Sequence, residues 1–188
     1  MKLFVGLEIP DQARIAIERR TESLKRSLPH ASWVSASNYH LLLAFLGERD
    51  ESQLGALGGS LSAAFASREP FEIQLGRGGA FPPLRRARVL WVGVDREAEL
   101  ERLHQTVWAS LKELVDLEED WRPFHPHLTV ARCRKPWTRR CVEVWCRSCS
   151  GPVGRPFEVR RGALFCSQSR QDGIHYRVVE SYPFKEIH

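Results

Sequence analysis

Two stretches of the sequence resemble each other at a constant distance, and this internal repeat constrains the fold more than any single motif. Residues 3–8 read LFVGLE and residues 90–95 read LWVGVD, and both are short apolar runs that end in an acid and suit buried strands. The same offset of 87 residues relates NYHL at residues 38–41 to HPHL at residues 125–128. We therefore predict that the chain is built from two similar units.

The predicted units cover approximately residues 1–87 and 88–188, and together they form a single bilobal domain. Two lobes related by approximate two-fold symmetry enclose a cleft, and clefts are where small ligands bind. Because two sets of landmarks share one offset, a coincidence of short apolar patterns is the less favoured explanation.

Helix signals follow the first strand of each unit. The first helix is predicted to begin near Pro10 and Asp11, which are typical of a helix start. The equivalent helix begins near Asp95, and its apolar positions recur at spacings of three and four residues. These positions are Leu100, Leu103, Val107, Leu111 and Leu114. A further helix is predicted between residues 51 and 68.

The ends of the two units also match. PFEI at residues 70–73 resembles PFEV at 156–159 at an offset of 86 residues, and GAF at 79–81 resembles GALF at 162–165. We predict a strand, a turn and a second strand in each of these passages. Residues 137–149, the counterpart of the further helix in the first unit, have weaker helix signals and are predicted to be partly irregular.

Composition limits the partners and the compartment. The 188 residues carry a net charge of +5, with 23 Arg against 5 Lys. Arg binds phosphate in a bidentate manner, so this excess permits a polyanionic partner, although biased codon usage explains it equally well. The longest apolar run, residues 41–46, is far shorter than the roughly 18 residues of a membrane span. With no signal-peptide core either, we expect a cytoplasmic monomer that has no membrane partner.

Two groups of residues raise the question of a bound metal. The first is a C-x4-C-x2-C run, formed by Cys141, Cys146 and Cys149. It lacks the second spaced pair that a closed zinc site favours. The second is the pair His125 and His127, which could bind zinc together with His40, except that Pro126 distorts the strand entry. We favour a protein without a metal or other cofactor, in which His125 has a structural role next to the site and does not contact the substrate.

The run from His127 to Val130 places useful chemistry on a predicted strand. Side chains alternate across a strand, so His127 and Thr129 share one face. Imidazole, with a reference pKa of about 6.5, gives or takes a proton near neutrality, and a hydroxyl donates to a phosphate oxygen. The first unit has His40 and Leu42 at the equivalent positions. Two histidines across a cleft suit phosphodiester cleavage, because one removes a proton from water while the other protonates the departing oxygen.

With these motifs in this order, the chain resembles the 2H phosphoesterases, and among them the RNA 2',3'-cyclic phosphodiesterases of bacteria and archaea, once described as 2'-5' RNA ligases. The resemblance covers nearly the whole chain and rests on four segments. They are LFVGLEIP at 3–10, NYHLLLAFLGE at 38–48, RVLWVGV at 88–94 and FHPHLTVAR at 124–132. It implies an α+β fold with two pseudo-symmetric lobes of antiparallel sheet, helices outside and a central cleft.

The resemblance also implies an activity and roles for individual residues. The activity is hydrolysis of a 2',3'-cyclic phosphate at an RNA or nucleotide end to a 2'-phosphomonoester, without a metal. The first-motif histidine of the family is the proton donor, which corresponds to His40, and the second is the proton acceptor, which corresponds to His127. The motif hydroxyls hold phosphate oxygens, which assigns Thr129 to substrate binding. Family members also show weak reverse ligation that forms a 2'-5' bond.

Two positions leave alternatives open. The family has Thr or Ser where this chain has Leu42, and a lost charge-assisted hydrogen bond costs about 1.5 to 3 kcal/mol. We predict weakened hydrolysis, and the alternative is a module that binds RNA ends without cleaving them. Continued alternation along the strand places Arg132 off the face of Thr129, although a strand end leaves room for a phosphate contact. Substrate binding and simple solvation both remain open for Arg132.

Overall fold

The computed structural model of the chain describes nearly all of the sequence. The described residues are 1–28, 30–83, 86–95, 97–117, 123–171 and 173–185. Their helices are α1 (Asp11–Lys25), α2 (Leu54–Ala66), α3 (Glu97–Leu111) and α4 (Arg139–Ser148), with 3₁₀ turns at Ala36–Asn38 and Glu51–Gln53. Their strands are β1 (Lys2–Glu8), β2 (Ala31–Trp33), β3 (His40–Glu48), β4 (Phe71–Phe81), β5 (Val89–Asp95), β6 (His127–Cys133), β7 (Phe157–Val159), β8 (Arg161–Arg170) and β9 (Gly173–Pro183).

The strands form two sheets. The first sheet has the order β3-β1-β8-β9 and the second has the order β2-β6-β5-β4-β7. Every strand pairing among the described residues is antiparallel. This arrangement confirms the α+β fold with two antiparallel sheets. Among the described residues, no helix is long and apolar enough to cross a membrane.

Each sheet contains strands from both halves of the chain. Strands β8 and β9 come late in the sequence but join β1 in the first sheet, and β4 comes early but joins β5 in the second. The histidine strands β3 and β6 stay with the first strand of their own half. The lobes of the molecule therefore do not coincide with the two halves of the sequence.

The pairing of β4 with β7 has the symmetry that a repeat requires. Glu72 pairs with Glu158, and on either side Phe71 pairs with Val159 and Ile73 with Phe157. Residues 71–73 and 157–159 are also the segments that the offset of 86 residues relates. Two equivalent segments pair with each other only across a two-fold axis, which supports the internal repeat. The division of the chain into two units stays a prediction.

Alternation along β1 separates the core from the face that carries the site. Leu3, Val5 and Leu7 are fully buried and belong to one large apolar cluster that extends through both lobes. Full burial of each such side chain contributes about 1.5 to 3 kcal/mol. Phe4, on the opposite face, belongs to a separate small cluster with Phe165. The helices pack on the first face, and the second face is left for the cleft between the sheets.

The predicted apolar stripe of α3 is confirmed over most of its length. Leu100, Leu103, Val107 and Leu111 are all fully buried. Leu114 was predicted to continue the stripe, but it lies beyond the end of α3 and its side chain is 41% exposed. Val115 takes the next buried position instead.

Two predictions of local structure were wrong. Residues 137–149 were predicted to be partly irregular, but they contain the regular helix α4, which begins after Thr138 and buries Val142 and Trp145. Residues 70–81 were predicted to be a strand, a turn and a strand, but they form the single strand β4, in which a bulge after Leu75 replaces the turn. The glycines that indicated a turn serve close packing instead, as described below.

Candidate active site

The structure brings the two predicted histidines together, one from each sheet. His40 is the first residue of β3, His127 is the first residue of β6, and these strands contact each other. Burial is the main cause that lowers the pKa of His40, and the charges of Arg132 and His127 lower it further. The three side chains therefore share one electrostatic environment in the cleft.

Both imidazoles are held in the same way. Nδ1 of His40 lies 2.8 Å from the main-chain oxygen of Asn38, and Nδ1 of His127 lies 2.7 Å from that of His125. Because a carbonyl oxygen only accepts, Nδ1 carries a proton in each ring. In each ring this leaves Nε2 as the nitrogen available for proton exchange.

Aromatic rings enclose His40 on one side. The centroid of its ring lies 4.7 Å from that of Phe4, 4.9 Å from Tyr176 and 6.0 Å from Phe165. Beside it is a cavity of about 190 Å³, and among its lining residues are the polar side chains of Glu8 and Arg14. The ring is thus fixed in orientation, with a small polar space next to it.

A matching group of rings supports His127. Its centroid lies 5.0 Å from Phe81 and 6.1 Å from Trp91, and the ring of His125 lies 4.7 Å from Trp91. A β-carbon on Gly79 would stand 2.1 Å from the indole of Trp91, so only glycine lets this ring lie across β4. His125 therefore contacts the same indole ring as His127, and its supporting role stays a prediction.

The surroundings lower the pKa of both histidines. For His40 the largest cause is burial, followed by the charges of Arg132 and His127, and the hydrogen bond to Asn38 acts in the opposite direction. For His127 burial again comes first, and the charges of His125 and Arg132 add to it. The neutral imidazole is therefore favoured in both positions before a negatively charged phosphate binds.

The face next to the histidines differs between the lobes. Thr129 is half-buried and lies between the buried side chains of Leu128 and Val130, so it shares the face of His127 as the alternation predicts. Leu42 shares the face of His40 in the same way, and its side chain is 37% exposed. One lobe thus offers a hydroxyl to the cleft where the other offers an exposed apolar group.

A bulge returns Arg132 to the cleft face, where simple alternation did not place it. The pairing of β5 with β6 shifts between Leu90, which faces Ala131, and Trp91, which faces Thr129. Val130 and Ala131 are consequently both buried in sequence, and Arg132 is exposed on the side of Thr129. The position off the face of Thr129 was wrong, because the bulge changes the phase of the strand by one residue.

The aromatic support was missed in the sequence, although the repeat contains its signal. Phe4 and Trp91 are separated by the same 87 residues as the two histidines, and so are Phe45 and Arg132. Phe45 is 49% exposed, with Nζ of Lys2 5.5 Å from the centroid of its ring. The offset therefore identifies the equivalent cleft positions, while it does not show which of them face the ligand.

The structure groups no metal ligands among the residues that it describes. No three His, Cys, Asp or Glu side chains there are placed to hold an ion. Cys141, Cys146 and Cys149 lie in or directly after α4 as free thiols. The expected absence of a cofactor stays a prediction.

A family model described as the 2'-5' RNA ligase superfamily matches residues 9–164. The chain belongs to this superfamily. Its identification as a 2H phosphoesterase is thereby confirmed. The RNA 2',3'-cyclic phosphodiesterase of Archaeoglobus fulgidus is 36% identical over 138 residues, which is 72% of this chain and 74% of the relative. The protein of the same name from Thermus thermophilus is 31% identical and aligns with 100% of this chain and 92% of its own length.

A further relative is much longer than the chain described here. It is an RNA 2',3'-cyclic phosphodiesterase from Geobacillus stearothermophilus, 34% identical over 129 residues, and the match spans 41% of its length. Among solved structures, TT0787 of Thermus thermophilus superimposes with a TM-score of 0.82 at 27% identity over 100% of both chains. Apo LigT of E. coli gives 0.76 at 23% identity over 98% of both. These superpositions confirm the fold.

Proposed function

We propose that the protein hydrolyses the 2',3'-cyclic phosphate at an RNA or nucleotide end to a 2'-phosphomonoester, by acid–base catalysis with two histidines. The observation that carries the proposal is the matched pair of imidazoles, one from each sheet, each bound through Nδ1 to a carbonyl and free to act through Nε2. Membership of the superfamily, and relatives named for this reaction, support it.

The proposed reaction is a single displacement at phosphorus. Nε2 of His127 removes a proton from water, whose oxygen attacks the phosphorus while the bond to the 3' oxygen breaks. Nε2 of His40 donates its proton to the departing 3' oxygen, which leaves a 2'-phosphomonoester and a free 3'-hydroxyl. The protons on the two histidines are then exchanged through solvent. General acid and general base catalysis of this kind contribute typically about 10² to 10⁴-fold each.

The remaining cleft residues bind the phosphate in this scheme. The hydroxyl of Thr129 donates to a non-bridging oxygen, and the guanidinium of Arg132 neutralises the charge that develops there. The phosphate also counteracts the lowered pKa of His40, because a nearby negative charge favours the imidazolium. Substrate binding therefore favours the protonated form of His40, which is the proton donor and which is disfavoured in the free enzyme.

Product analysis on an oligonucleotide with a 2',3'-cyclic phosphate tests the proposal. We expect a 2'-phosphate as the product, and a loss of at least about 100-fold in kcat for His40→Ala and for His127→Ala. His104→Gln is the matched control, since this histidine lies in α3, where it stacks on Phe124 with 4.0 Å between the centroids. Near-normal turnover of either alanine variant removes that histidine from the mechanism.

A second candidate function follows from one observation. Leu42 exposes an apolar side chain where the family has a hydroxyl, which favours a module that binds RNA ends with weakened or lost catalysis. Tight binding of the cyclic end without turnover identifies this case. If a 5'-hydroxyl replaces water as the nucleophile, the product has a 2'-5' bond, so the same assay also detects ligation.

The proposed partner is RNA or a nucleotide, and the proposed mechanism needs no cofactor. Addition of a chelator is therefore expected to leave turnover unchanged, and a loss that zinc restores contradicts the metal-free scheme. The monomeric state and the cytoplasmic location stay predictions.

A further inference from the structure

Asn38 lies directly before the His40 strand, and its side chain makes two hydrogen bonds to β9. Its Nδ2 donates to the main-chain oxygen of Ile174 at 2.6 Å, and its Oδ1 accepts from the main-chain N–H of Tyr176 at 3.2 Å. These two groups lie on either side of a single residue of β9. A residue of a parallel neighbouring strand would bind two main-chain groups with the same spacing. Since β9 is the last strand of the first sheet, the amide of Asn38 satisfies groups that an edge strand leaves open.

The two bonds connect opposite ends of the first sheet. The sheet begins with β3 and ends with β9, and Asn38 precedes β3 by two residues. Tyr176, whose N–H donates to Asn38, also packs its ring edge-on against His40, with 4.9 Å between the centroids. Asn38 therefore joins the outermost strands at the point where they enclose His40.

The main chain of Asn38 has a separate task. Its carbonyl oxygen is the acceptor for Nδ1 of His40, so its position decides which ring nitrogen carries the proton. The local main chain is a single 3₁₀ turn, in which the N–H of Asn38 donates to Ser35 at 2.9 Å. Such turns have poorer hydrogen-bond geometry than α-helices. The side-chain bonds to β9 thus fix the position of the Asn38 carbonyl, which the 3₁₀ turn alone fixes only weakly.

We propose that Asn38 is a positioning residue: by binding β9 through its side chain, it fixes the carbonyl that keeps His40 protonated at Nδ1 and reactive at Nε2. The role of His40 as proton donor rests on the proposed function, whereas the effect of Asn38 on which nitrogen of His40 is protonated does not.

The other lobe holds its carbonyl differently. His125 is the residue equivalent to Asn38, and its carbonyl binds Nδ1 of His127 in the same way. Its side chain, however, packs on the rings of Trp91 and Phe81, with centroid distances of 4.7 and 5.8 Å. A change at Asn38 is therefore expected to affect His40 and to leave His127 as it is, which provides an internal reference.

The experiment combines kinetics with nitrogen-15 NMR of the imidazoles, in which the signals of His40 are identified by their loss in His40→Gln. Asn38→Ala removes both bonds to β9, and Asn38→Asp keeps an acceptor for Tyr176 but loses the donor to Ile174. Ser35→Ala is the matched control, because it removes a side-chain hydrogen bond to Ser37 in the same turn without touching β9. Because Tyr39 is buried, we expect the segment to stay attached in every variant.

In Asn38→Ala we expect both tautomers of His40, an unchanged His127, and a kcat lowered by about 10-fold to 100-fold at unchanged KM, as a misplaced catalytic group requires. Asn38→Asp loses less, and Ser35→Ala matches the wild type. The proposal is overturned if the His40 spectrum does not change, if His127 changes equally, or if the spectrum changes while kcat does not. A wild type without turnover removes the proposed function, and the His40 spectrum still decides whether Asn38 sets the tautomer.

Discussion

At the scale of single residues, the two sides of the cleft have the same plan and different side chains. His40 and His127 occupy equivalent positions of the repeat, but the equivalent of Thr129 is Leu42, and the equivalent of Arg132 is Phe45. In the proposed site, the polar side chains for the phosphate therefore lie on the second sheet, whereas Leu42 and Phe45 expose apolar side chains on the first sheet.

The missing hydroxyl gives a prediction with a close control. Leu42→Thr adds a donor on the face of His40, and if this donor reaches a phosphate oxygen in the transition state, kcat/KM rises about 10-fold to 100-fold. Leu42→Val has nearly the shape of Thr without the hydroxyl, and we expect no such rise. The measurement is turnover of a cyclic-phosphate oligonucleotide, and equal rates for the two variants show that the hydroxyl has no role at this position.

Arg132 gives a prediction for the pH profile. Its positive charge disfavours the imidazolium form, so it lowers the pKa of both His40 and His127. Arg132→Gln removes the charge, and both pKa values rise; the bell-shaped profile of kcat/KM therefore moves to higher pH. Arg132→Lys keeps the charge, and its profile stays in place although its activity falls. Profiles of all three enzymes that coincide after scaling contradict the prediction.

The sequence predicted the candidate site residues that follow from the repeat, and it missed the neighbouring residues whose positions depend on local geometry. His40, His127 and Thr129 were found by their offset and by alternation along a strand. Arg132 was placed off the face because the bulge in β6 has no signature in the sequence. The rings around the histidines were missed because three-dimensional closeness, rather than spacing along the chain, brings them together.

At the scale of elements, α4 is a regular helix that the sequence signals did not predict. The side-chain oxygen of Thr138 accepts from the N–H of Cys141 at 3.3 Å, which caps the first turn. Trp145 is fully buried, and its indole donates to the main-chain oxygens of Gly79 and Trp91. A cap without an acidic partner and an apolar face of few residues gave weak signals, whereas the contacts with β4 and β5 are what stabilise the helix.

The cap of α4 leads to a prediction about stability alone. Thr138→Ala leaves the N–H of Cys141 without its acceptor and lowers the free energy of unfolding by about 1 kcal/mol. For a chain of this length the melting temperature falls by about 2 to 4 °C. Thr138→Ser retains the oxygen and melts close to the wild type, and kcat is unchanged in both variants. A fall in kcat without a change in melting temperature would assign α4 a direct part in the reaction.

Glycines explain the other error at this scale. Residues 70–81 contain several glycines and were predicted to turn, but a β-carbon on Gly78 would stand 2.7 Å from Cβ of Cys149, and one on Gly79 would stand 2.1 Å from Trp91. The first glycine admits the end of α4 and the second admits the indole on the opposite face of β4. Spacing along the chain does not distinguish these close contacts from a turn.

At the scale of the whole molecule, the repeat predicted two lobes and a cleft but did not predict how strands are shared between them. Short apolar runs indicate where strands lie, and they carry no information about which distant strand is the partner. The pairing of β1 with β8 and of β4 with β5 joins the halves of the chain in both directions. Only the structure shows that each lobe is completed by the other half.

This exchange of strands has a consequence for how the active site is kept together. A cut between β4 and β5 would yield two fragments, each of which lacks a strand that the other holds, so neither could close its sheet alone. Because a single chain contains both halves, their association is intramolecular and has a high effective concentration. Because the two histidine strands come from different parts of the chain, they need not be identical, and Thr129 follows one histidine where Leu42 follows the other.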